Sequence, residues 1–87
     1  MPGCRVTFAQ SAHRELERLD ARVVGRVFPK IEALAQNPRP PRCRKLSGFN
    51  NLWRIRVGDW RVVYSIDDDN SAVDIVTVRH RSTAYKP

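Results

Sequence analysis

The spacing of apolar residues changes along the chain. "CRVTF" (Cys4 to Phe8) alternates and is rich in β-formers, which predicts a short first strand. From about Gln10 the steps lengthen to three and four. Ala12, Leu16 and Leu19 share one helical face, with His13, Arg14, Glu15, Glu17 and Arg18 on the others. Asp20, just past that helix, is placed to cap a second one. There Val23, Val24, Val27, Phe28, Ile31, Leu34 and Ala35 recur at helical steps, a stripe best read as core packing. Pro29 interrupts it, because proline lacks an N–H and its ring crowds the carbonyl of Gly25. The expectation is a kink near Gly25–Pro29, or two short helices end to end. "QNPRPPR" (Gln36 to Arg42) then predicts an extended loop.

The second half alternates again. Leu52 to Val57 and Trp60 to Asp67 read as strands joined by Gly58-Asp59, a loop of the Gly-X type expected for a II′ hairpin. "DDDN" (Asp67 to Asn70) is a polar turn, and Ala72 to His80 is the last strand. The order β-α-α-β-β-β predicts one α+β domain over residues 1–87. Its small antiparallel sheet would carry two N-terminal helices on one face.

The two-residue loop fixes the hairpin register. Val57 lies opposite Trp60, and residues opposite one another share a face. Stepping outward, Arg56 meets Arg61, Ile55 meets Val62, Arg54 meets Val63 and Trp53 meets Tyr64. One face therefore carries Trp53, Ile55, Val57, Trp60, Val62 and Tyr64, and needs the helices. The tryptophans belong with this apolar set and read as core rather than as base-stacking platforms. The other face carries Arg54, Arg56, Arg61 and Val63. Arg56 against Arg61 is an unfavourable like-charge pair. In the last strand both alternating sets are largely apolar, so its faces are ambiguous. If Arg79 and Arg81 join the arginine face, up to five guanidinium groups converge there with no carboxylate among them. Such forks of donors suit a phosphate; the alternative is a basic face dispersed in solvent.

Charge strengthens the first reading. Sixteen basic against nine acidic residues give +7 on 87 residues. That field draws polyanions, nucleic acid foremost, and would also draw an acidic protein. No apolar run approaches the roughly 20 residues of a bilayer span. "MPGCRVTFAQ" has no apolar signal core, so no membrane and a cytoplasmic setting are expected. Cys4 and Cys43 read as free thiols. His13 and His80 stand far apart without ligand-spaced partners, so no metal and no cofactor are expected.

The run "NPRPPRCRKLSG", the hairpin "LWRIRVGDWRVVYSIDD" and the ending "VDIVTVRHRSTAY" resemble the RelE/ParE toxin superfamily of bacterial type II toxin–antitoxin modules, the RelE branch more closely. The likeness spans nearly the whole chain. It implies a RelE/ParE-like fold and a ribosome-dependent endoribonuclease. Such a toxin cleaves mRNA in the ribosomal A site by metal-independent 2′-OH attack and halts translation. By the same resemblance Arg54, Arg56 and Arg61 lie in the hairpin's basic set, Arg81 follows the last strand, and Tyr85 is the C-terminal tyrosine. His80 matches a histidine that some members carry beside that arginine. Several members have lysine where this chain has Arg54 and Arg56, and many have glycine at the position of Arg79. The implied partners are a cognate acidic antitoxin, mRNA and ribosomal RNA, with operator DNA reached through the antitoxin.

Such a reaction needs cations for the charge on phosphorus, a base for the 2′-OH and an acid for the leaving oxygen. Arg61 and Arg81, with Arg54, Arg56 and Arg79, can supply cations. Arginine is a poor proton acceptor. Histidine ordinarily titrates near neutrality, so His80 is the expected proton carrier, or else a packed strand-end residue. Tyr85 could orient the hydroxyl, donate a proton or stack on a base, or simply cover the sheet edge. Lys45 is expected to contact backbone phosphate or ribosomal RNA. The competing readings are a ParE-like, non-catalytic inhibitor of DNA gyrase and an inactive toxin fold that only binds its antitoxin.

Overall fold

The computed structural model describes residues 3–82. The elements are β1 (Arg5–Phe8), α1 (Gln10–Glu17), α2 (Ala21–Ala33), β2 (Arg44–Lys45), β3 (Leu52–Val57), β4 (Trp60–Asp67) and β5 (Ala72–His80). The strands form one sheet in the order β1-β5-β4-β3-β2. The α+β class and the two N-terminal helices are as expected. The sheet itself is mixed: β1 pairs with β5 in parallel, Arg5 beside Ala72 through Phe8 beside Ile75. Two helices follow β1 and carry the chain away, so no local turn chemistry dictates its partner. The short β2, invisible in the sequence pattern, pairs antiparallel with the start of β3.

Each helix follows from its local chemistry. The Asp20 carboxylate accepts from the Arg22 N–H at 2.8 Å, which caps α2 as the sequence suggests. Pro29 does not divide this helix, which runs unbroken from Ala21 to Ala33. Gly25 and Pro29 both lie on the exposed side, where water can take the carbonyl that proline leaves without a donor. Val27 and Ile31 of α2, with Leu34 just after it, are almost fully buried. They meet Ile55, Val57, Val62, Tyr64, Ile66, Val73, Ile75 and Val78 from the sheet, and Ala12 from α1.

Between β4 and β5 the register slips. Val63 pairs with Thr77 but Tyr64 pairs with Ile75, leaving Val76 as an extra residue on β5. This bulge reverses the phase of the strand. Val73 and Ile75 point into the core before it, and Val78 does so after it. The ambiguous alternation of the last strand is thus two correct patterns joined by one inserted residue.

β1 covers only the first half of the β5 edge. Beyond Ile75 the edge is closed by side chains of α1. Ser11 Oγ donates to the Val76 carbonyl at 2.7 Å, and Glu15 Oε1 accepts from the Val78 N–H at 2.9 Å. Together they satisfy backbone groups that would otherwise invite strand pairing. The loop after α2 is tied down at the opposite side. Tyr64 donates its hydroxyl to the Pro38 carbonyl at 2.7 Å. Arg39 lies 4.9 Å from the ring centroid of Trp53 and forks onto Asp68 at 3.1 and 2.9 Å. Among the described residues no helix is long and apolar enough to cross a membrane.

Candidate nucleic-acid interface

The hairpin register expected from the Gly58-Asp59 loop is the one observed, from Val57–Trp60 out to Trp53–Tyr64. Its apolar face packs under the helices, and Trp53 and Trp60 lie against the core as expected. The opposite face carries the arginines. Because of the bulge, Arg79 lands directly beside Arg61, which itself faces Arg56. Arg56, Arg61 and Arg79 thus form a straight row across three strands. Arg54 belongs to the next row down and is 8% exposed, the one charged residue buried among the described residues. Directly across from it is Arg44 of β2, which the sequence reading did not single out. A two-residue strand has too little alternation to announce a face.

Several expectations need correction. Carboxylates do reach this surface. Glu15 Oε2 takes the Arg79 Nε at 2.6 Å. Asp74 and Asp67 occupy the same face nearer the other end of the sheet: Asp74 pairs with Ser65, and Asp67 is the last residue of β4, in phase with Arg61, Val63 and Ser65. The face is therefore basic at the hairpin-tip end and acidic at the other. Arg81 does not join the row. It lies past the end of β5, its N–H donating to the Asp59 carbonyl at 2.7 Å and its guanidinium 3.9 Å from the Asp59 carboxylate. Lys45 sits across from Trp53, on the opposite face from the arginines.

His80 is also turned away. It pairs with Trp60, and its ring meets the Trp60 ring edge-on at 5.4 Å and 87°. Its Nδ1 lies 3.0 Å from Ser82 Oγ. Adjacent strand residues point to opposite faces, so the side that presents Arg79 cannot also present His80. Tyr85 lies outside the described residues.

Two grooves flank the β3 edge. One of about 660 Å³ lies on the arginine side, and Arg42, Arg44, Arg54 and Arg56 are in its wall. The other, about 730 Å³, opens between α2 and β3. Ala33, Leu34, Ile55 and Val57 give it apolar surface, and Arg26 and Lys30 add charge. Arg56 borders both and has no bonded partner among the described residues. Among those residues no three His, Cys, Asp or Glu side chains gather as a metal would require.

This five-stranded mixed sheet with two helices matches the fold of RelE-like toxins. A family model for the ParE toxin of type II toxin–antitoxin systems matches residues 6–85, and the chain belongs to that family. It is 30% identical over 82 residues to Toxin RelE of Mycobacterium tuberculosis, covering 93% of this chain and 84% of that protein. To Toxin RelG of the same organism it is 31% identical over 85 residues, covering 93% and 94%. Among solved structures it resembles the toxin–antitoxin complex RelBE2 of M. tuberculosis, with TM-score 0.81 and 28% identity over 94% of this chain and 95% of that one. The archaeal RelE–RelB complex of Pyrococcus horikoshii OT3 gives TM-score 0.80 at 26% identity, covering 94% and 99%.

Proposed function

We propose that this toxin is a ribosome-dependent endoribonuclease that cleaves mRNA. The observation that carries the reading is the row Arg56–Arg61–Arg79, with Arg44 and Arg54 beside it. Guanidinium groups in such a row repel one another, and a phosphate placed over them relieves that repulsion. The chemistry is attack of the RNA's own 2′-oxygen on the adjacent phosphorus. The 2′-hydroxyl gives up its proton as the 2′-O–P bond forms, the P–O5′ bond breaks, and the 5′-oxygen takes up a proton as it leaves. The products are a 2′,3′-cyclic phosphate and a 5′-hydroxyl. No metal enters this scheme.

The arginines hold the phosphate and offset the charge that grows on its oxygens in the transition state. Arg61 sits at the centre of the row, and Arg81 at the hairpin tip is within the same end of the molecule. Moving the proton is a separate task. The orientation of His80 against Trp60 argues against its acting over the arginine face. Primer extension on mRNA after induction tests the reading. Discrete cleavages in wild type, lost in Arg61→Ala and Arg81→Ala, support it; an active double variant would sink it.

The partner that fits is an acidic antitoxin. RelE relatives were solved as complexes with RelB, and this chain carries +7. The groove between α2 and β3, apolar with a basic border, suits an acidic amphipathic segment. In this reading operator DNA is bound through the antitoxin.

A second reading is kept because the matching family model is that of ParE toxins. A ParE-like protein would inhibit DNA gyrase by binding it, without catalysis. Purified toxin that blocks supercoiling while mRNA stays intact would select this alternative.

A further inference from the structure

We infer that Glu15 is a positioning residue that extends the phosphate-gripping row onto β5 by holding Arg79 in place. The inference rests on the RNA-binding reading above and specifies how far that surface reaches.

Three observations converge. First, the Glu15 carboxylate is itself fixed. One oxygen accepts from the Val78 N–H at 2.9 Å and the other from Arg79 Nε at 2.6 Å. The helix thereby reads the sheet edge with a side chain, and the same side chain orients the next residue along. Second, only Nε of Arg79 is engaged; among the described residues nothing bonds its two Nη groups. The two Nη groups together offer a pair of parallel donors that suits a second anion. Glu15 takes Nε and leaves that pair to an incoming ligand. Third, the Val76 bulge is what brings Arg79 opposite Arg61. Without it the phase of β5 would turn Arg79 toward the helices and His80 toward the row.

Neighbouring strands lie about 4.8 Å apart, so the outer members of the row are about 10 Å apart at the backbone. The row is long enough to span more than one phosphate. The row matches two successive phosphates of a single strand: Arg56 and Arg61 on one, Arg61 and Arg79 on the next. Asp74 and Asp67 at the acidic end of the same face then set a boundary past which the strand does not run.

The test uses the full chain, released from its antitoxin, and a fluorescent all-2′-O-methyl oligoribonucleotide. That probe lacks the attacking hydroxyl and stays intact. Binding is measured by anisotropy across a salt series. Each phosphate contact on a single strand adds about 0.7 to the slope of log K against log salt. Arg79→Ala is expected to lower the slope by about 0.7. Glu15→Gln keeps an acceptor for the Val78 N–H but gives up the ion pair. It is expected to lower the slope too, and to weaken binding about threefold to tenfold, although the protein loses a negative charge. Melting curves establish that both variants are folded.

The sign of the Glu15→Gln effect decides the matter. Tighter binding, or an unchanged slope, would mean that Glu15 only dilutes the local charge, and would overturn the inference. An unchanged slope in Arg79→Ala would end the row at Arg61 and overturn it as well. Arg56→Ala distinguishes these failures from a deeper one. If it too leaves RNA binding unchanged, the RNA reading itself fails along with the inference.

Discussion

The two faces of the central sheet obey opposite rules. On one, Ile55, Val57, Val62 and Tyr64 pack against Val27, Ile31 and Leu34, and each side chain's needs are met within the domain. On the other, Arg44, Arg54, Arg56, Arg61 and Arg79 gather at one end of the same strands, held on the same backbone ladder. The first face is stabilised by what it excludes. The second gathers like charges, an arrangement that an anion would stabilise.

If that contrast is right, substitutions on the two faces should fail in different ways. The largest effect is expected at Ile31, which is 1% exposed. Ile31→Ala should lower stability by about 2–5 kcal/mol in urea denaturation. RNA cleavage, measured where the variant is still folded, should persist. Loss of cleavage without loss of stability would break the comparison from the core side.

Arg61→Ala should do the reverse. Removing one donor that stabilises developing charge lowers rates about 100-fold. A ribosome-programmed cleavage assay should show that loss, while the unfolding free energy moves by less than about 1 kcal/mol.

Tyr64→Phe sharpens the comparison through pH. The hydroxyl bonds the Pro38 carbonyl, so its loss should cost about 1 kcal/mol near neutrality. Burial, followed by the neighbouring Cys43 thiol, pushes the phenol well above its ordinary value of 10.0. A group raised in the folded state stabilises fully below its unfolded pKa and loses that contribution as pH rises through the folded one. Wild type should therefore weaken as pH climbs past 10, and Tyr64→Phe should show a flatter alkaline limb. Parallel limbs for the two proteins would refute this assignment.

The smallest effect has the most telling sign. Arg56→Thr removes a like charge directly opposite Arg61 and introduces a good strand former. Stability should rise by a few tenths to about 1 kcal/mol while affinity for RNA falls. A destabilised Arg56→Thr protein would mean that the arginine face is not under strain.

The sequence was most informative where a local rule was rigid. A two-residue loop leaves one register, so every hairpin pair from Val57–Trp60 to Trp53–Tyr64 could be read in advance. The Asp20 cap was equally legible, since capping depends on a side chain and an N–H two residues away. Faces became illegible where the chain departs from period two. Val76 adds one residue to β5, and the position of Arg79 and His80 depends on it. The expectation that His80 shares a site with the arginines failed for this reason. Arg44 escaped notice because β2 is too short to show a pattern, and Glu15 because nothing in a helical repeat says that its carboxylate will meet a distant strand edge.

By itself, then, the sequence determined the two helical regions, every strand but the short β2, the hairpin and the presence of an unusual arginine surplus on one of its faces. These follow from periodicity, turn chemistry and charge, which act over a few residues. The tertiary structure alone decided that β1 runs parallel to β5, that the bulge carries Arg79 into line with Arg56 and Arg61, and that α1 closes the strand edge with Ser11 and Glu15. The first and last of these join residues more than sixty positions apart. They depend on how edges and faces are satisfied in three dimensions, which no short-range pattern encodes.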